Sequence, residues 1–163
     1  MSGGTSAHSG RLQLIRVRHP DNDLLQELAL YEREAFGEVG LRTYDLAVFA
    51  QAGAVYVAYM GEQIVGGCQL MRLVDEPDFF YVVGFYVRSP WRGRGLGRAM
   101  LAALGREVKR LGGKGLVLTV APDNAQALKL YRAAGFEEEA FVRHFYGQGE
   151  DRYVLRLRFG PGA

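Results

Sequence analysis

The chain has 163 residues, of which 48% are hydrophobic and 23% are charged, the size and balance of one folded domain with a sizeable core. No segment is apolar over the length that a membrane-spanning helix needs, and a formal net charge of +2 gives no support for a polyanionic partner such as nucleic acid. Cys68 is the only cysteine, which excludes an intramolecular disulfide and a metal site built from several cysteines.

The chain begins with a small, polar segment, MSGGTSAHSG. It lacks the basic start and apolar centre of a signal peptide, so we expect residues 1–10 to form a flexible tail on a cytoplasmic protein. One domain is expected over residues 11–160. Its first element is a strand at residues 12–17, where apolar and polar side chains alternate.

Two helices are expected next. Leucines at near-helical spacing predict a helix that ends near Phe36, with Asp21 or Asp23 as its N-cap. The segment from Gly37 to Gln51 is less regular, and part of it is expected to form a second, short helix.

Three β-rich segments follow the helices. The runs at 54–60 and 63–74 flank Gly61 and a glutamate, which predicts a hairpin. The run at 79–87, FFYVVGFYV, predicts a long strand. A glycine inside it, Gly84, indicates a bulge or a place where another group approaches the backbone closely.

The second half of the chain alternates between helix and strand. A helix is predicted over 95–111, a buried strand over 115–120, and a second helix from Asp123 or Asn124 to Ala134. Two last strands are expected near FEEEAFVRHFY and RYVLRLRF. The whole order predicts one mixed sheet with helices on its faces.

Positive charge is concentrated in the turn that precedes the 95–111 helix. Its arginines are Arg88, Arg92, Arg94 and Arg98. Backbone N–H groups at a helix start bind phosphate, and glycines at 93, 95 and 97 would let a diphosphate come close to them. The turn therefore indicates a pyrophosphate ligand, the alternative being a glycine-rich turn with solvated arginines. The P-loop signature is absent, and the dinucleotide pattern fails because a non-glycine residue takes its third glycine position.

Two segments carry a family resemblance. The segment RGRGLG at 92–97 fits R-x-x-G-x-G between a strand and a helix, and resembles the acetyl-coenzyme A loop of the GNAT (GCN5-related) N-acetyltransferases. The segment PDNAQALKLYRAAGF at 122–136 resembles the second coenzyme A motif of that family. The resemblance covers about residues 11–159. It implies a mixed α/β (α+β) domain with a mostly antiparallel sheet of about six to seven strands and about four helices.

The resemblance also implies the site and its co-substrate, acetyl-coenzyme A, with no metal. Tyr131 is the implied general acid, which protonates the departing thiolate, and backbone N–H groups of residues 85–87 would meet the thioester oxygen. The residues expected to bind the cofactor are Phe85, Tyr86, Val87, Arg92, Gly93, Arg94, Gly95, Leu96, Gly97, Arg98, Asn124, Ala127 and Tyr131.

The general base departs from the family pattern. Many members carry a glutamate on one of the two strands beside the loop, but the run at 79–87 has no acid and the other position is Thr119. We hypothesise that a water chain ordered by Thr119 carries the proton away. The other candidates are Asp75, Glu76, Asp78, Glu32, Glu34 and His144. For these acids solvated surface is the ordinary interpretation, and for the histidine a structural role.

The acceptor is an amine that the loops at 32–45, 72–79 and 143–151 would select. The C-terminal segment RHFYGQGEDRYVLRL resembles the ribosomal-protein alanine N-acetyltransferases, which implies a protein N-terminus. A small amine, attracted by the acids of VDEPD, is the alternative. Direct attack in a ternary complex is expected, in a monomer or homodimer, with no nucleic-acid or membrane partner.

Two functions of other classes compete with the enzyme. A non-catalytic, acyl-coenzyme A-binding regulatory module would explain the missing glutamate, but Tyr131 argues against it. A nucleic-acid binder would use the arginine cluster, but the balanced total charge gives it no support.

Overall fold

The computed structural model describes residues 10–161, and two of its helices, those that begin after Asp21 and Asn124, have side-chain N-caps. Of the candidate caps, Asp21 accepts a hydrogen bond from Leu24 N (2.8 Å) and Asn124 accepts one from Ala127 N (3.1 Å). The positive φ of Gly37 (67°) and Gly135 (100°) suits the residue just past a helix end. Residues 1–9 of the predicted tail lie outside the described residues.

The elements follow the predicted order. Within residues 10–161 there are seven strands and four α-helices, with short 3₁₀ turns at Gly37–Val39 and Ser89–Trp91. They are β1 Leu12–Val17, α1 Asn22–Phe36, α2 Thr43–Ala52, β2 Ala54–Met60, β3 Gln63–Arg72, β4 Phe79–Val87, α3 Leu96–Arg110, β5 Gly115–Val120, α4 Ala125–Ala133, β6 Glu137–Val142 and β7 Arg152–Arg158. The predicted fold class is confirmed.

All seven strands form one sheet in the order β1-β2-β3-β4-β5-β7-β6. Every neighbouring pair is antiparallel except β4 and β5, which are parallel. The hairpin between β2 and β3 turns at Gly61, whose φ of 60° is readily available only to glycine. The sheet is therefore mixed and mostly antiparallel, as expected.

Apolar side chains cover one face of the sheet and part of the other. Helices α3 and α4 pack on one face through buried residues such as Met100, Leu104 and Leu128, against Leu118 and Leu155 of β5 and β7. Each such side chain contributes about 1.5–3 kcal/mol when fully buried. Helices α1 and α2 cover the β1–β3 part of the other face. The β5–β7 part of that second face carries polar residues such as Thr119 and Arg156, and Thr119 lines the cavity described below.

A β-bulge in β4 changes which side chains face which way. Val83 and Gly84 together lie opposite one residue of β3, Gln69, because the pairing shifts between Cys68 and Leu70. Val82 before the bulge and Phe85 after it therefore both face α3 and α4. Gly84 faces the α1 side. The bulge predicted at this glycine is confirmed.

Strands β4 and β5 separate soon after they pair. Their pairing joins Phe79–Tyr81 to Gly115–Val117 and extends no further. Beyond it, β4 stays on β3 and β5 stays on β7, for example through Thr119 opposite Val154. A gap opens between the carboxyl-terminal ends of the two parallel strands. None of the helices formed by residues 10–161 has the length and apolar character of a membrane span.

Candidate active site

A cavity of about 720 Å³ occupies the gap between β4 and β5. Its walls come from both strands, from α4, from the end of α1 with the loop after it, and from the loop between β6 and β7. Five residues expected from the sequence line it: Phe85, Thr119, Asn124, Ala127 and Tyr131. The separation of the strands thus creates the space in which these residues meet.

The edge of β4 offers backbone donors to this gap. Successive N–H groups of a strand point to opposite edges, and Arg88 N donates to Val65 O of β3 at 2.7 Å. The N–H groups of Phe85 and Val87 therefore point toward β5, which has already diverged. They lie where hydrogen-bond donors for a thioester oxygen are expected.

The side chain of Tyr86 faces away from the cavity. It is 5% exposed and packs edge-to-face on Phe36, with ring centroids 5.9 Å apart. Of the three residues expected along the acetyl and pantetheine arm, Tyr86 can contribute only its backbone, whereas Phe85 lines the cavity with its side chain. Neighbouring residues of a strand face opposite sides, and the bulge at Gly84 decides that Phe85 is the one that faces α4 and the cavity.

The arginine-glycine turn forms the exposed start of α3. Gly93 and Gly95 have φ values of 77° and 75°, and Gly95 is the N-cap. The first intrahelical bond is Ala99 N to Gly95 O (3.2 Å), so the N–H groups of the three residues before Ala99 have no partner within the helix. These groups lie at the positive end of the helix dipole, a suitable position for a phosphate.

The remaining residues of the turn stiffen it. Arg92 Nε donates to Val87 O (2.9 Å), and the Arg94 guanidinium lies 5.0 Å from the Trp91 ring centroid. A Cβ at Gly97 would lie 3.5 Å from the Leu130 side chain. Gly93 and Gly95 thus supply backbone conformation, whereas at Gly97, beside α4, a methyl group would make an ordinary van der Waals contact.

Tyr131 lies on α4 at the wall of the cavity. It is 7% exposed and packs edge-to-face with Phe85 and Phe136, with ring centroids 6.1 and 5.4 Å away. Burial raises the pKa of its phenol above the ordinary value, so the hydroxyl is protonated at neutral pH. Asn124 uses its side-chain oxygen to cap α4.

Glu32 is a buried carboxylate in the same cavity. It is 1% exposed, which shows that the solvated-surface interpretation is wrong for this residue. Gln69 Nε2 donates to its Oε1 (2.6 Å) and Leu41 N to its Oε2 (3.3 Å). Burial raises the pKa of Glu32, and these two hydrogen bonds oppose the rise. The sequence held a signal, since Glu32 follows Leu28 by four residues on the apolar stripe of α1.

Three hydroxyl groups meet on the β5 side of the cavity, where Thr119 and Tyr146 line it. Thr119 Oγ1 lies 3.2 Å from Tyr81 Oη and 3.1 Å from Tyr146 Oη, and the two phenols are 3.0 Å apart. Burial raises the pKa of Tyr81, so the Tyr81 hydroxyl is protonated at neutral pH. The cluster of three hydroxyl groups can pass a proton or bind a polar group, but it cannot retain an amine proton as a base.

The other candidate bases are engaged elsewhere or solvated. Asp78 pairs with Lys114 (3.1 Å) and Glu76 with Arg156 (2.9 Å). Asp75 and Glu34 are exposed. His144 Nδ1 accepts a hydrogen bond from Gly149 N (2.8 Å), which confirms its structural role in the β6–β7 loop.

The three predicted acceptor loops do not contribute equally. Phe36, Val39 and Leu41 of the first and Tyr146 and Glu150 of the third line the cavity, and no residue of 72–79 does. Within residues 10–161, no group of three histidine, cysteine or acidic side chains is placed to hold a metal ion.

Comparison with known proteins identifies the same family that the segments at 92–97 and 122–136 resemble. The model of the acetyltransferase (GNAT) family matches residues 21–136. An N-alpha-acetyltransferase of Sulfurisphaera tokodaii is 32% identical over 121 residues, 71% of each chain. The N-alpha-acetyltransferase RimI of Mycobacterium tuberculosis is 37% identical over 106 residues, 63% of this chain and 65% of that protein.

Solved structures show the same fold. The ribosomal-protein-S18-alanine N-acetyltransferase from Escherichia coli superposes with a TM-score of 0.75, over 93% of this chain and 98% of that one. The sequence identity is 20%.

Proposed function

Because the chain belongs to the acetyltransferase (GNAT) family and is an acyl-coenzyme A-dependent N-acetyltransferase, we propose that it acetylates the α-amine of a protein N-terminus by direct attack. Acetyl-coenzyme A and the acceptor are bound together, in a ternary complex. The observation that carries this proposal is the cavity between β4 and β5, where the β4 edge, Tyr131 and Glu32 surround one space. A non-catalytic module would not need a buried carboxylate and a buried phenol in the same cavity.

The cofactor is assigned to the α3 and α4 side of the gap. Its pyrophosphate binds the free N–H groups at the start of α3 with help from Arg98, and its arm passes Asn124 and Ala127 to the edge of β4. This assignment predicts stabilisation by acetyl-coenzyme A and none by ATP or NAD. At about 100 times its dissociation constant the ligand should add about 2.7 kcal/mol to the free energy of unfolding.

Substitution of Gly95 by alanine should weaken cofactor binding. A side chain at its φ of 75° costs about 1–2 kcal/mol, so the turn of the free variant should relax to another conformation. Restoring the binding conformation would then lower acetyl-coenzyme A affinity by up to roughly 5- to 30-fold. Gly112→Ala is the matched control, because Gly112 also has a positive φ (83°) and open space around it, at the other end of α3. Calorimetric titration should show weaker binding only for the first variant; equal binding by both would contradict the assignment.

Acetyl transfer requires several proton or charge events in the cavity. The acceptor ammonium must lose a proton, and Glu32 is the group assigned to accept it, because it is a buried acid on the cavity wall and burial raises its pKa, which makes its carboxylate a stronger base. The N–H groups of Phe85 and Val87 stabilise the thioester oxygen as it gains charge. Tyr131 then protonates the thiolate that leaves, and the second proton that the nitrogen loses as the amide forms returns to the Tyr131 phenolate.

Thr119 is assigned a supporting role through the hydroxyl cluster. Thr119→Val keeps the shape of the side chain and removes its hydroxyl, so it should lower turnover about threefold to tenfold without changing acetyl-coenzyme A binding. Steady-state kinetics with both substrates varied would measure this. Unchanged turnover together with an unchanged pH–rate profile would exclude a proton relay or water site at Thr119.

The acceptor side of the cavity favours a peptide over a small polycation. Phe36, Val39 and Leu41 present an apolar wall, and the acids of the 72–79 loop that would attract a small amine are away from the cavity. The names of the two relatives at 32% and 37% identity also support an α-amine acceptor. Release of the coenzyme A thiol should require a peptide that has a free α-amine and a first residue with an uncharged side chain. Faster release with spermidine or an aminoglycoside would favour the small-amine alternative.

A further inference from the structure

We propose that Gln69 is a positioning residue that holds the Glu32 carboxylate toward the acceptor amine, in a space beside β4 that is available because residue 84 is glycine. The inference rests on the proposed function, in which Glu32 accepts the amine proton. Gln69 lies on β3, whereas the cavity lies between β4 and β5, so it would not touch the substrate. It would act on the acceptor amine only through Glu32.

Gln69 is a buried polar side chain whose only hydrogen bond among the described residues goes to Glu32. It is 2% exposed, and its Nε2 donates to Glu32 Oε1 at 2.6 Å. Its Oε1 is buried and has no partner within residues 10–161. A buried amide with an unsatisfied oxygen costs about 1–3 kcal/mol, so a purely structural role would be better filled by an apolar residue.

Gly84 makes room for this pair. A Cβ at position 84 would lie 2.7 Å from Gln69 Oε1 and 3.4 Å from Glu32 Oε1. The first distance is a clash, so any larger residue would displace the amide. The bulge therefore places a glycine of the cavity wall beside the Gln69 amide from β3 and the Glu32 carboxylate from α1.

Both oxygens of Glu32 are held, each from a different element. Gln69 of β3 holds Oε1, and Leu41 N, in the loop after the 3₁₀ turn, holds Oε2. Two titratable groups interact electrostatically with the carboxylate: Tyr86 of β4 lies on the same side of the sheet, and Cys68 of β3 lies on the other side, toward α3 and α4. Burial raises the pKa of both, so both are neutral near pH 7. The protonation of Glu32 is thus governed by burial and by these two donors.

An amide suits a base that must be protonated and deprotonated in each cycle. The Nε2 group donates to the ionised carboxylate. After the ammonium has passed its proton to Glu32, the new carboxylic O–H can donate to Gln69 Oε1 if the amide rotates by half a turn. The unsatisfied Oε1 is the acceptor that this second state requires. Gln69 can therefore keep Glu32 in place in both protonation states.

The test is the pH dependence of kcat/KM in Gln69→Met, which keeps the length of the side chain and removes the amide. Loss of the donor to a charged group should disfavour the ionised form of Glu32. At pH 7 we expect kcat/KM for a peptide acceptor to fall about tenfold, with the acid limb shifted to higher pH and the KM for acetyl-coenzyme A unchanged. Activity should approach the wild-type level in alkaline buffer.

Two further variants complete the test. Gly84→Ala should shift the acid limb in the same direction, because its Cβ would displace the Gln69 amide. Val65→Ala is the control, because Val65 is buried on β3 but faces α3 and α4, so it should lower stability without moving the pH profile. Should Gln69→Met fail to fold, Gly84→Ala decides the question.

The outcomes separate this inference from the proposed function. An unshifted acid limb in folded Gln69→Met and Gly84→Ala would overturn the positioning role, even if Glu32→Gln is inactive. If Glu32→Gln kept both its activity and the acid limb, the assignment of Glu32 as proton acceptor would fail first. Wild-type protein that acetylates no peptide amine would contradict the proposed function itself.

Discussion

Glu32→Gln is expected to lower kcat/KM for a peptide acceptor on the order of 1000-fold at neutral pH, within the range for loss of a general base. The amide cannot accept the ammonium proton, whereas the acetyl-coenzyme A site on α3 and α4 is untouched. Calorimetric affinity for acetyl-coenzyme A should therefore stay at the wild-type value. In the wild type, activity should rise with pH as Glu32 ionises, above the ordinary range of a glutamate, because burial raises its pKa.

Glu34→Gln is the matched control for this variant. Glu34 lies on the same helix two residues later, but its side chain is 51% exposed, beside Arg88. Its replacement should change kcat/KM by less than about twofold. A wild-type rate in Glu32→Gln, or an equal loss in both variants, would contradict the role of Glu32.

The same substitution should not reduce stability at neutral pH. Because the folded protein raises the pKa of Glu32, it binds that proton more tightly than the unfolded chain does. The ionised, buried carboxylate therefore lowers the free energy of unfolding once the pH exceeds the ordinary glutamate value. Glu32→Gln removes this cost, so its melting temperature at pH 7 to 8 should equal or exceed that of the wild type. A buried acid kept at a cost in stability is typical of a functional site.

Tyr131→Phe is expected to lower kcat on the order of 100-fold and to leave acetyl-coenzyme A binding nearly unchanged. The ring keeps its contacts with Phe85 and Phe136, and only the proton donor to the thiolate is lost. Single-turnover measurements with saturating peptide would isolate the chemical step.

Tyr56→Phe is the control for Tyr131. Tyr56 is also buried, but its hydroxyl donates to Glu107 (3.2 Å), away from the cavity. Its loss should cost about 1 kcal/mol of stability and leave kcat unchanged. Full activity of Tyr131→Phe would remove the general-acid role and leave water as the proton source.

Local patterns in the sequence predicted most of the fold. The alternation at 12–17 and the apolar run at 115–120 match β1 and β5 residue for residue. The candidate cap residues predicted where α1 and α4 begin, and Gly84 predicted the position of the bulge. These features depend on neighbours along the chain, which is why sequence alone was sufficient.

The chemistry of the site depends on contacts between distant segments. Thr119 contacts Tyr81 and Tyr146, which lie 38 and 27 residues away in the sequence, and Gln69 contacts Glu32, which lies 37 residues away. No local sequence pattern predicts contacts between residues so far apart in the chain. The burial of Glu32 was missed because its charge favoured a surface position more strongly than its place on the apolar stripe of α1 favoured the interior.

The central claim is that the cavity delivers an acetyl group to the α-amine of a peptide. The most direct measurement uses one peptide that carries both a free N-terminal alanine and an internal lysine, incubated with enzyme and acetyl-coenzyme A. Tandem mass spectrometry should locate a single acetyl group on the N-terminal amine, with one thiol released per acetyl group transferred. Acetylation of the lysine alone, or no transfer while a small amine is acetylated, would contradict the account.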